Sequence, residues 1–207
     1  MSETVRSPRD QGSALVLVDM QRDVISHQSP RVREALARSG VLGACVAAVG
    51  RARAAGIPVV FITVLRRPQE LAEDLPYPPL RRQLGWRPAC VAGTPGAEIV
   101  PELTPGAADF VVVKRARGAF HNTELDGLLR QLGVTHILLG GVATNLGVES
   151  TARSAFDLGY RVTFLHECCA GFDETDHQWA LRRIFPLIGE VLSWRDALGQ
   201  SGVPDRS

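Results

Sequence analysis

The strongest constraint on this chain is a rhythm: short, almost uninterrupted apolar runs alternate with segments of helical periodicity. The runs fall at residues 14–18, 58–64, 110–113, 137–139, 162–165 and, more weakly, 191–194. Their Val/Ile/Leu content is nearly continuous rather than alternating, as expected of parallel strands covered on both faces. Helical patterns at 41–55, 123–132, 147–158 and 175–185 separate them. Gly56, Gly133 and Gly159 follow three of these helices and stand just ahead of the next run, the place of a helix-terminating glycine. The pattern predicts one parallel α/β domain over 13–200, with polar tails at 1–12 and 201–207. Two stretches break the rhythm. Residues 23–40 read as a loop with a short helix. Residues 66–106, rich in Pro, Gly and Arg and containing Trp86, read as a lid, a surface excursion or an oligomer contact.

Charge narrows the partners. Lys+Arg 23 against Asp+Glu 22 leaves a net charge of +1, which offers nothing for nucleic acid or an anionic membrane to hold. No run reaches the ~20 apolar residues of a membrane span, and the polar first residues lack the apolar core of a signal peptide. Cys45, Cys90, Cys168 and Cys169 form no C-x-x-C pair and no zinc spacing. A cytoplasmic protein with reduced thiols and a small-molecule substrate is expected. One residue stands out: all the basic side chains are arginine except Lys114, the single lysine, at the end of the third apolar run. An ammonium is a compact charge with rotatable donors that a guanidinium fork does not replace, which suits a functional role.

In an open parallel sheet, ligands bind beyond the carboxyl ends of the strands. Asp19-Met20-Gln21 follows the first run, Lys114 ends the third, and a glycine-flanked turn from Gly141 to Gly147 follows the fourth. Asp19 alone reads equally well as a turn cap. The 141–147 turn enters a helix, where backbone N–H groups suit an oxyanion or a carboxylate. It carries no G-x-G-x-x-G or P-loop pattern.

Taken together, these segments resemble the isochorismatase-like hydrolase superfamily. The matching residues are Leu17-Val18-Asp19-Met20-Gln21, Gly93-Thr94-Pro95-Gly96-Ala97-Glu98, Val113-Lys114 with Gly118-Ala119-Phe120, Gly141-Val142-Ala143-Thr144-Asn145, and Val148-Glu149-Ser150-Thr151-Ala152-Arg153. The resemblance implies a three-layer α/β/α fold with a six-stranded parallel sheet of order 3-2-1-4-5-6. It implies a proton-transferring acid at Asp19, held by Lys114, and a cis peptide at Val142–Ala143 aiming N–H groups into an oxyanion hole. Gln21, Trp86, Phe120, His121, Thr144 and Asn145 become candidate substrate contacts, and a homo-oligomer is expected.

Gly147 is the departure. The amidase branch has a nucleophilic cysteine where this chain has Gly147, and without a thiolate a covalent acyl-enzyme is closed off. Cys169, after the fifth run, is the alternative thiol. Isochorismatases also have glycine there and cleave an enol-pyruvyl ether with the aspartate as acid. They carry an aromatic-Ala-His segment, however, where this chain reads Ala143-Thr144-Asn145. No metal and no cofactor are expected: the stretch 63–67 lacks the Asp-x-His set that nicotinamidases use for zinc, and the five histidines show no ligand spacing. The expected function is therefore a hydrolase that works without a thiol on a small carboxylated metabolite, or a ligand-binding homologue that has lost turnover.

Overall fold

A computed structural model describes residues 12–27, 29–67 and 89–199. Six strands form one sheet: β1 (Ser13–Val18), β2 (Val59–Val64), β3 (Phe110–Lys114), β4 (His136–Val142), β5 (Arg161–Ala170) and β6 (Glu190–Leu192). All neighbours are parallel, in the order β3-β2-β1-β4-β5-β6. The expected architecture is the observed one. Strand β1 is central and buried along its whole length. Leu15 and Leu17 pack on one face with α2 (Pro30–Ser39) and α3 (Val41–Ala54), while Ala14, Val16 and Val18 face the other. The second face is covered by α4 (Leu125–Gln131) and α5 (Glu149–Asp157). A strand whose side chains alternate between two cores must be apolar at every position, which is why the runs are unbroken.

The segment expected to be mostly loop, 23–40, is largely helical. A short α1 (Arg22–Ile25) precedes α2, which has Pro30 in its first turn and ends at Gly40 with φ 70°. Its buried stripe is Val32 and Leu36, so the periodic signal was two residues wide. The helical pattern at 175–185 divides instead into α6 (Glu174–Trp179), a π-turn (Ala180–Ile184) and a 3-10 turn (Phe185–Leu187). The expected helix start at Gly147 is preceded by a π-turn, Thr144–Val148, and α5 begins at Glu149. A final helix, α7 (Trp194–Leu198), packs against α3. Gly12, placed in the tail by its polarity, belongs to the fold: its carbonyl accepts from Thr135 N and His136 N. Among the described residues no single helix is long and apolar enough to cross a membrane.

The strand order reverses between β1 and β4, so their carboxyl ends open the crevice of a doubly wound sheet. Gly141 makes the close approach possible. Its φ is +125°, and a Cβ there would lie 2.2 Å from Val18 O and 2.5 Å from Val18 N. No side chain fits, and few L-residues adopt that backbone.

At the opposite end of the sheet, His136 is buried between Ser13 Oγ at 3.0 Å from Nδ1 and Thr163 Oγ1 at 2.8 Å from Nε2. Burial and the neighbouring Arg161 push its imidazole down to about 4. The unfolded chain binds a proton near pH 6.5 that the fold refuses, so His136 lowers stability as pH falls below 6.5 and continues to do so until about 4. Urea unfolding is expected to show a loss of about 2 kcal/mol between pH 7.5 and pH 5 attributable to His136. His136→Gln should remove that component of the pH dependence.

Candidate active site

Asp19 and Lys114 meet above the crevice. Lys114 ends edge strand β3, two strands from β1, roughly 10 Å away at ordinary strand spacing. Its aliphatic stem lies buried along the sheet, and its ammonium reaches back to Asp19, Nζ to Oδ2 2.8 Å. A second donor goes to Arg117 O at 2.7 Å. With three donors on an ammonium, one is left over.

Asp19 leaves β1 with φ 55°, in the left-handed region that aspartate tolerates better than most residues. Its N–H still continues the ladder to Ile62 O at 2.8 Å, while the turn redirects its carboxyl toward Lys114. Oδ1 is buried and has no hydrogen-bond partner among the described residues. Burial raises the Asp19 carboxyl above its ordinary value, and the attraction of Lys114, which acts the other way, does not cancel it. Desolvation therefore sets the direction of the shift.

Gly147 completes the cluster. A Cβ on Gly147 would stand 3.1 Å from Val18 Cγ1, 3.2 Å from Asp19 Oδ2 and 3.4 Å from Lys114 Nζ. Residue 147 therefore abuts the acid and the amine, and all three distances are short for a Cβ, so any side chain there would press on Val18, Asp19 and Lys114. The Val142–Ala143 peptide is cis. Gly147 itself is held by Thr151, whose Oγ1 donates to Gly147 O at 2.7 Å and accepts from Ala119 N at 3.0 Å. Thr151 falls within the 148–153 motif, where a buried threonine one turn into a helix is common and gives only a weak sequence signal.

The other candidates separate into three groups. Gln21, expected to touch substrate, is fully buried and spends its amide on backbone. Nε2 donates to Val64 O (3.0 Å) and Ala97 O (2.7 Å), and Oε1 accepts from Val64 N (2.8 Å). Around it the 96–100 segment is laid on the strand β1 exit: Arg22 N donates to Glu98 O, Val100 N to Met20 O, and Asp23 Oδ2 accepts from Cys90 N. A Cβ on Gly96 would fall 2.2 Å from the Asp23 carboxyl, which explains the glycine in that motif. Gln21 and Asp23 thus brace the loop that aims Asp19. Thr144 and Asn145 turn toward α6, bonding His177 Nδ1 at 2.7 Å and Asp176 Oδ2 at 3.3 Å. Phe120 is half-buried against Tyr160, and His121 is exposed beside Asn122. Trp86 lies outside the described residues.

Neither Cys169, the alternative thiol, nor Cys90 is exposed. Cys169 is core, its Sγ facing Leu139 O at 3.9 Å, and burial pushes its pKa far up. Burial and the charges of Asp19 and Asp23 push Cys90 up to about 12. Thiols so raised are poor sources of thiolate. Among the described residues no group of three His, Cys, Asp or Glu side chains is placed to hold a metal ion.

The chain is thus a doubly wound α/β protein with a buried acid–amine pair at its switch point. The isochorismatase domain model matches residues 13–196, and the chain belongs to the isochorismatase family. It is 46% identical to the isochorismatase family protein YwoC of Bacillus subtilis over 104 residues, 50% of this chain and 55% of that protein. It is 30% identical to the ureidoacrylate amidohydrolase RutB of Pantoea ananatis over 207 residues, 91% of this chain and 83% of that one. An isochorismatase family protein structure from Burkholderia thailandensis superposes with a TM-score of 0.75 at 30% identity, covering 91% and 94% of the two chains. The family thus includes hydrolases.

Removing one partner of a buried ion pair strands the other. Lys114→Met is expected to cost about 3–5 kcal/mol at neutral pH in urea unfolding. The difference from wild type should shrink on acidification: without the ammonium, Asp19 takes up a proton more readily in the fold than in the unfolded chain.

Proposed function

We propose that the protein is a thiol-independent hydrolase of a small carboxylated metabolite, with Asp19 as the proton-transferring group and water as the nucleophile. The observation that carries this reading is that a glycine, with no side chain to act as nucleophile, abuts the Asp19 carboxyl: its would-be Cβ stands 3.2 Å from Oδ2. The group nearest the acid is thus backbone rather than a thiolate, which leaves water as the nucleophile. A carboxyl raised by burial holds a proton closer to neutral pH than an ordinary aspartate does, as a general acid requires.

With an enol-pyruvyl ether the steps balance simply. The vinyl carbon takes the proton of Asp19 using the C=C electron pair, leaving an oxocarbenium ion. Water adds to that ion and returns a proton to Asp19, and the hemiketal breaks into ketone and alcohol. Lys114 orients Asp19, and its remaining donor faces any anionic group brought in. The turn that follows the cis Val142–Ala143 bond supplies polar backbone to the same edge.

A second reading, a binding protein without turnover, is favoured by the segment Ala143-Thr144-Asn145, which is of the amidase type although the thiol is missing. A panel of amides, ureides and enol-pyruvyl ethers separates the two. Wild type is expected to turn over an ether and no amide, and Asp19→Asn to reduce that rate about 10²–10⁴-fold. Unchanged turnover in Asp19→Asn would sink the proposal, while calorimetric binding with no product from any member of the panel would establish the second reading. Gly147→Cys, run alongside, is expected to gain amide cleavage.

A further inference from the structure

The Asp19–Lys114 pair holds one side of the crevice, and a different buried polar contact holds the turn on the other. Thr144, which follows the cis bond, is wholly buried, and its Oγ1 lies 2.7 Å from Nδ1 of His177 on α6. His177 is itself buried and backed by Gly171, where an added Cβ would come within 2.9 Å of the His177 Cβ. Residue 171 therefore lies close against the α6 backbone at His177. Among the described residues His177 is the hydroxyl's hydrogen-bond partner, so we assign the Thr144 O–H as donor and Nδ1 as acceptor, because the other tautomer would leave the hydroxyl proton without an acceptor. That donation needs the neutral ring with its proton on Nε2.

We propose that His177 is a positioning residue for the 143–148 turn, holding it through Thr144 by a hydrogen bond that exists in this sense only while the imidazole is neutral. Protonation turns Nδ1 into a donor. Thr144 Oγ1 must then accept, and its own proton is left in a buried site without an acceptor. The charged groups facing His177 are Glu174, one turn back on α6, and His166 from β5. Burial lowers the His177 pKa most, His166 adds to that, and Glu174 opposes it, so the ring is neutral until the solution is acid. The N-terminus of α6 is anchored independently: Asp173 caps Thr175 N at 2.8 Å and pairs with Arg31 of α2 at 3.0 Å. Asn145 to Asp176 at 3.3 Å ties the turn to the same helix. His177 is thus a proton-sensitive joint between a fixed helix and the turn that carries Gly147. The catalytic meaning of that joint rests on the proposed hydrolase reading, but the joint itself is measurable without any substrate.

The test is backbone and imidazole NMR of the full chain between about pH 8 and about pH 5, on wild type, His177→Asn, His177→Leu and Thr144→Val. Asparagine offers an acceptor near the place of Nδ1 and does not titrate. In wild type the amides of the turn are expected to shift with the same midpoint as the His177 ring, below 6.5. In His177→Asn they should stay at their high-pH positions throughout. In His177→Leu, amide exchange in the turn should be about tenfold faster, and Asn should bring it back toward wild type. In Thr144→Val the ring should still titrate while the turn amides cease to follow it. Turn amides that ignore the ring in wild type, or that keep titrating in His177→Asn or Thr144→Val, would overturn the proposal. If Leu prevents folding, the Asn and Val variants still decide. A failed joint with an active Asp19, or a working joint with no turnover, tells the two proposals apart.

Discussion

The interaction on which the rest of the site depends is the buried contact between Asp19 and Lys114, 2.8 Å from Oδ2 to Nζ. Two charges withdrawn from water cost several kcal/mol each unless they satisfy one another and their remaining hydrogen-bonding capacity. Here satisfaction is incomplete. Lys114 has a donor to spare and Asp19 Oδ1 has no partner among the described residues. An apolar pair of the same volume would make a better core.

Much of the surrounding structure serves to hold that pair against its own cost. Asp19 sits at φ 55° at the end of the most buried strand, and its loop is pinned from one side by Gln21, whose amide ties the end of β2 to Ala97. Asp23, packed on Gly96, fastens the same loop to Cys90. On the other side Gly141 lets β4 approach β1 at backbone distance, which sets the turn carrying Gly147 directly over Val18 and the ion pair. Thr151 then holds Gly147 O, and His177 holds Thr144. These contacts frame the ion pair from both sides.

The fold was legible because its signals are long-range and repetitive: apolar runs of strand length, helices between them, and glycines where helices stop. Asp19 and Lys114 were legible for a different reason, since a strand-end acid and a solitary lysine are chemically conspicuous in an arginine-rich chain. What escaped was everything whose role is set by partners distant in sequence. Gln21 looks like a polar residue at a strand end, ready for substrate, until Val64 and Ala97 are found on its amide. His177 looks like a solvated helix histidine until Thr144, 33 residues away, is found against it. Helix α2 escaped because two buried residues in ten are a thin stripe. The sign of the Asp19 shift could not be read from composition at all, because it is a difference between burial and a neighbouring charge.

The most direct test of the account is the titration of the Asp19 side-chain carboxyl by ¹³C NMR in the full-length protein. The account predicts a midpoint above the ordinary aspartate value, with burial outweighing Lys114, and a further rise when Lys114 is replaced by Met. A midpoint below the ordinary value would mean that the ion pair dominates and that Asp19 is ionised whenever the protein is folded. It would then be no proton donor, and a thiol-free hydrolase built on that acid would be contradicted.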